Sequence, residues 1–138
     1  MGYSASSVQE DLITLPRDKV QEIWEGLRQA EEVGGIGHIS WCDTIASGRY
    51  PETMEGVVQI LSDYGFNVDL DNEGNVDLYS WGGDKLGSSW NHIWGFVIAP
   101  FVTEPAKWVM IGEDGMIWAV VLDGKGGFTE RDVKVEVT

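Results

Sequence analysis

The sequence predicts an α+β fold: two amphipathic helices packed on an antiparallel β-sheet of about five to six strands. Three observations carry this expectation. Apolar residues recur at helical spacing in two segments of the first half, near residues 16–34 and 51–64. From Phe66 onward apolar and polar residues alternate with the period of a strand. Glycine-bearing turns such as Glu113-Asp114-Gly115 then divide apolar runs as hairpins do. The 138 residues suit one domain whose core needs neither disulfide nor metal.

Taken in order, residues 1–14 are polar and serine-rich, which fits a frayed end or an edge strand. "TLPRDKVQEIWEGLRQAEEVGG" predicts the first helix. Pro16 suits its first turn, Gly34-Gly35 stop it, and Val20, Ile23, Trp24 and Leu27 form its buried stripe. "HISWCDTIAS" reads equally as a short strand or a helical turn. "YPETMEGVVQILSDYG" predicts the second helix, opened by Pro51, closed by Gly65, with Met54, Val57, Val58, Leu61 and Tyr64 inward.

Phe66, Val68, Leu70, Val76 and Leu78 alternate with Asn67, Asp69, Asp71, Asn75 and Asp77, the pattern of a half-buried strand pair. In "NHIWGFVIAPFV" the residues Trp90, Ile93, Trp94, Val97, Ile98 and Phe101 fit a helix almost as well as a strand. Gly95, Pro100 and the β-branched content favour a buried strand. "KWVMIGEDGMIWAVVLDG" is the clearest hairpin, and "DVKVEV" is a last alternating strand.

Charge is the strongest compositional signal. Asp and Glu number 23 against 9 Lys and Arg, a net charge of −14. The excess is spread evenly, at −4, −3, −4 and −3 over residues 1–35, 36–66, 67–85 and 86–138, so it belongs to the folded body. Such a chain repels nucleic acid and anionic membranes and favours a basic protein surface or a cation. The plainer role of acidity is solubility. A single cysteine, Cys42, points to a reduced cytoplasmic setting. No basic-then-apolar leader and no membrane-length apolar run is present.

"DLDNEGNVDLYS", residues 69–80, matches half a calcium loop. Asp69, Asp71, Glu73 and Asp77 are its weak metal candidates, but the twelfth position is Ser80, where a bidentate Glu is required. The alternation running into it favours a hairpin turn at Asn72-Glu73-Gly74, so no metal and no cofactor is expected. His38 and Cys42, with Asp43 next to them and His92 far along the chain, lack any signature of a catalytic thiol or a zinc site. "GKGGF" at 124–128 lacks what a phosphate loop needs. No catalytic residue is assigned.

Two features suggest docking. Asp18, Glu22, Glu25, Gln29 and Glu32 share one narrow arc of the first helix, opposite its buried stripe, with Lys19 and Arg28 to either side. A solvated face gives the same pattern. Five of the seven tryptophans lie between Trp81 and Trp118. Closing the hairpin on Glu113-Asp114-Gly115 puts Val109, Ile111, Ile117, Ala119 and Val121 on one face and Trp108, Met110, Met116, Trp118 and Val120 on the other. Either both faces are buried, or the Trp/Met face is exposed for a partner or for a homo-oligomer. The partner-binding set is therefore Asp18, Glu22, Glu25, Glu32, Asp69, Asp71 and Asp77, with Trp108, Met110 and Trp118.

"IAPFVTEPAKWVMIGEDGMIWAVVLDG" resembles the C-terminal part of small uncharacterised phage and bacterial proteins, which similarly combine an "APFV" strand, a "GEDG" turn and a Trp-bearing return strand. The "MGYS" start is also similar to small phage proteins. The resemblance implies a phage or mobile-element origin, hence the host cytoplasm, and brings no activity with it. The expected function is that of a small acidic, non-catalytic binding protein. It would be an inhibitor of anti-defence or immunity type docking on a basic, nucleic-acid-binding protein. The alternatives are a small-molecule binder or enzyme with a Trp-lined pocket, a calcium-binding module, and a structural phage protein.

Overall fold

The first strand of the chain lies in the middle of its sheet. The computed structural model describes residues 4–34, 50–83 and 89–133. Strand β1 (Ala5–Glu10) pairs antiparallel with β4 (Val76–Gly83) on one side, at Ala5 and Ser6, and with β5 (Ala106–Gly112) on the other. It then leaves β4 through a bulge between Ser7 and Gln9 and follows β5, and β2 (Ile13–Leu15) returns to β4. The Ser7 hydroxyl keeps the detour closed, accepting from the Trp81 N–H at 2.8 Å. Strand β1, in a segment expected to be frayed or at an edge, is thus interior. Ser6 faces outward beside Ile111, Ser7 is half-buried beside Met110, and Ala5, Ile13 and Leu15 fill the core.

The remaining strands complete a seven-stranded antiparallel sheet, larger than the five to six expected. Strand β3 (Phe66–Leu70) borders β4, β6 (Ile117–Leu122) follows β5, and β7 (Phe128–Asp132) follows β6. Strand β7 precedes the expected 132–137 strand and shares only Asp132 with it; residues 134–138 lie outside the described set. Gly115, with φ 84°, supplies the left-handed residue of the β5–β6 turn, as its sequence predicts.

Helices cover one face of the sheet. A 3-10 turn (Arg17–Lys19) leads into α1 (Val20–Gly34), whose Ile23, Trp24, Leu27 and Ala30 are buried. Helix α2 (Met54–Tyr64) packs on β3 and is capped by Thr53, whose side chain accepts from the Gly56 N–H. Its buried residues include Met54, Val57, Ile60, Leu61 and Tyr64, and Gly65 at φ 122° ends it.

The segment expected as a buried strand over 90–101 is helical. Helix α3 (Ser89–His92) runs into a π-helical turn (Ile93–Ile98) and a 3-10 turn (Ala99–Phe101). Trp90, Ile93, Trp94, Val97 and Ile98 are all buried, the i, i+3, i+4, i+7, i+8 positions of one helix face. Packing against α1 overrides the β-branched propensity. Pro100 is accommodated at the start of the final turn, where its missing N–H costs nothing.

One apolar core results, and aromatic rings dominate its centre. Trp81, Trp90, Trp94 and Trp108 follow one another with centroids 4.8, 5.6 and 5.3 Å apart at 62–79°, the edge-to-face geometry that ring quadrupoles favour. Buried indole N–H groups find acceptors at the borders: Trp81 donates to the Tyr64 carbonyl, Trp24 to that of Thr53, Trp108 to that of Asp11. Trp94, at the centre, has no hydrogen-bond partner for its Nε1 among the described residues.

Candidate docking site

The hairpin question resolves against the expected surface. Trp108 is 1% and Met110 0% exposed, and Trp118 is half-buried against the same core. These three side chains therefore pack towards the helices. Met116 is exposed only because it sits at the hairpin tip. The outward face is the other one, Val109, Ile111, Ile117 and Val121, half-exposed around a covered Ala119. Lys107 is exposed on the same side of β5, and Thr129 and Arg131 continue that side on β7. The sequence carried this signal: Lys107 shares its parity with Val109 and Ile111, so that face had to be the wet one.

The seven candidate carboxylates are exposed or half-buried, but the two groups differ in how the fold accounts for them. Asp18, in the 3-10 turn, and Glu22, in the first turn of α1, stand where the helix dipole favours carboxylates. Glu25 is 3.4 Å from Arg28, which also pairs with Glu52 ahead of α2. The stripe is thus broken by a cation the sequence placed to one side. Only Glu32, in the last turn, runs against the dipole.

The carboxylates of the sheet have no such account. Asp69 on β3 lies directly opposite Asp77 on β4, a like-charge pair that opposes sheet formation. Thr14 on β2 donates to Asp77 Oδ1 at 2.6 Å, and among the described residues Asp69 accepts only from the neighbouring Leu70 N–H. Neither carboxylate has an ion pair among the described residues. Tyr79, two residues along β4 and 47% exposed, registers the field. Its hydroxyl pKa is held above the ordinary 10.0, first by partial withdrawal from water and then by the charges of Asp77, Asp69 and Asp71.

Asp71, the central residue of the apparent calcium loop, is committed to the turn. Its Oδ1 accepts from the backbone N–H groups of Glu73 at 2.8 Å and Asn75 at 2.9 Å, and its Oδ2 from the Asn75 amide. These bonds, the Asn75 N–H foremost, hold its carboxyl below the usual 3.8. Asp123 does the same in the β6–β7 turn, accepting from Lys125 and Gly127 N–H, with its pKa lowered likewise. "DNEGN" and "DGKGG" are therefore one device used twice: an Asx turn with glycine at positive φ. Glu73 is exposed at the tip. Among the described residues no three His, Cys, Asp or Glu groups converge as metal ligands do.

The expectations for His38, Cys42 and Asp43 lie outside the described residues. His92 is in α3, its Nδ1 buried without a partner among the described residues and its ring 6.3 Å from that of Phe96. Trp81, Trp90, Trp94 and Trp108 pack on one another rather than around a cleft. Among the described residues no helix is long and apolar enough to cross a membrane.

No protein-family model, curated protein or solved structure matches this chain. The surface chemistry alone carries the functional reading.

Proposed function

We propose that this chain is an acidic, non-catalytic binding protein that docks on a basic protein through the outer face of its sheet. The observation that carries the reading is the Asp69–Asp77 pair, two carboxylates directly opposite on adjacent strands with no ion pair among the described residues. A fold keeps such a pair at a cost of about 0.2–1 kcal/mol. A partner supplying lysine or arginine turns that repulsion into attraction. The long-range field of a −14 body steers such a partner and repels nucleic acid. A partner whose own ligand is a polyanion would be blocked by occupation of its groove, which makes the chain an inhibitor. In a phage or mobile-element setting that is an anti-defence or immunity role.

The test is capture from host lysate at low and high salt, with Asp69→Asn/Asp77→Asn and Asp18→Asn/Glu22→Gln compared with the unaltered chain. The expected result is a basic protein held at low salt, released by salt, captured more slowly with the sheet pair replaced and unchanged with the helix pair replaced. Capture indifferent to salt or to the sheet pair refutes the proposal.

A further inference from the structure

The outer face of the sheet is divided. Its β2-β4-β3 end carries Thr14, Asp77, Asp69 and Tyr79. Its β5-β6-β7 end carries Val109, Ile111, Ile117 and Val121. On the outward rows of these three strands there is no carboxylate, and the charged members, Lys107 and Arg131, are both cations. The two ends meet where Ser6 of β1 stands between Gly82 of β4 and Ile111 of β5. That seam is almost free of side chains: a Cβ on Gly82 would meet only the Ser6 Cβ, at 3.8 Å. Beside it lies a shallow depression of about 240 Å³ lined by Ser4, Ala5, Ser6, Ile111, Gly112 and Glu113.

We infer that one basic protein partner covers both ends of this face, its cations over Asp69 and Asp77 and an apolar centre over Val109, Ile111, Ile117 and Val121. The inference rests on the docking reading above and adds what supplies the contact energy. Exposed carboxylates set encounter rate and orientation and contribute little net affinity in water. Burial of aliphatic side chains is what slows dissociation. The dimensions require both ends. Three strands about 4.8 Å apart and five residues about 3.4 Å apart give the aliphatic end a footprint of roughly 250 Å². A standard interface takes about 800 Å² from each partner. A partner seated on the aliphatic end must extend, and past the side-chain-poor seam it meets the acidic end. Charge complementarity then selects a basic surface.

The experiment uses the protein captured by the unaltered chain, identified and purified, with poly-lysine as a basic probe that has no apolar centre. Three variants are titrated: Asp69→Asn/Asp77→Asn, Ile111→Ser/Ile117→Ser, and Gly82→Arg. The last builds bulk into the seam without entering the core, so it stands if the aliphatic variant fails to fold. The carboxylate variant is expected to lower the association rate, the salt slope and poly-lysine binding. The aliphatic and seam variants are expected to speed dissociation about tenfold or more, and the aliphatic variant to keep the salt slope and poly-lysine binding. If they bind as the unaltered chain does while the carboxylate variant fails, the inference is overturned and the docking reading survives. If no variant matters, or no protein is captured in a salt-dependent way, both fall. If the unaltered chain dimerises and Ile111→Ser/Ile117→Ser is monomeric, a second copy occupies the aliphatic end and the inference is overturned.

Discussion

A Cβ on Gly26 would stand 2.1 Å from the carbonyl oxygen of Phe96, so α1 and the π-helical turn meet backbone to backbone. Alanine would raise helix propensity by about 1 kcal/mol, but nothing flexible is there to yield. Overpacking of this kind costs about 1–3 kcal/mol, and against a main-chain oxygen it wins. Gly26→Ala is expected to lower the urea midpoint with an unchanged m-value. A midpoint at or above that of the unaltered chain contradicts the packing described.

Asp69→Asn removes one member of the opposed carboxylate pair and leaves the Thr14–Asp77 hydrogen bond in place. It should stabilise the fold by a few tenths of a kcal/mol at low salt, and the gain should vanish near 1 M salt as the charges are screened. Denaturant titration at two ionic strengths measures this. A loss of stability at low salt would mean that Asp69 has a role in holding the sheet.

The Asx-turn carboxylates set a pH dependence of known sign. Asp71 and Asp123 have folded pKa values below the ordinary 3.8. The stability they contribute is therefore complete above 3.8 and is lost as pH falls through their folded values. In Asp71→Asn/Asp123→Asn the side-chain acceptors remain and the titration is gone. The variant should lose stability less steeply than the parent as pH falls below 3.8, and equal slopes would show that the turns exert no pull on these carboxyls.

Tyr79 offers a spectroscopic reading of the acidic end. The phenolate absorbance lost in Tyr79→Phe should appear above pH 10.0 in the parent. It should move to lower pH in Asp77→Asn, because one of the charges opposing ionisation is gone. An unmoved titration would show that the Asp77 charge does not reach the phenol. A bound basic partner should shift it downward as well.

Much of this architecture was legible in the residues. Strands β3 and β4 followed from strict alternation between Phe66 and Leu78, and both helices from stripes ended by Gly34 and Gly65. Residues 90–101 were misread because Gly95 and the β-branched side chains argue locally for a strand. The deciding contact, with Gly26, is distant in sequence. The Trp/Met face is ambiguous in sequence for a different reason: both faces of the β5–β6 hairpin are apolar, and alternation says only that they are opposite. Parity with Lys107, Thr129 and Arg131 marks the wet side. The interior place of β1 had no local signal, since Ser6, Ser7 and Gln9 are those of any exposed strand.

That interior place has a consequence for the order of assembly. Ser6 must pair with Ile111, roughly a hundred residues later, and a ribosome adds about 5–20 residues per second. During synthesis the strand destined for the centre of the sheet waits some 5–20 s for its second neighbour. Contacts of such separation also slow refolding, because the loop must close before pairing rewards it. The first strand made is among the last to be enclosed.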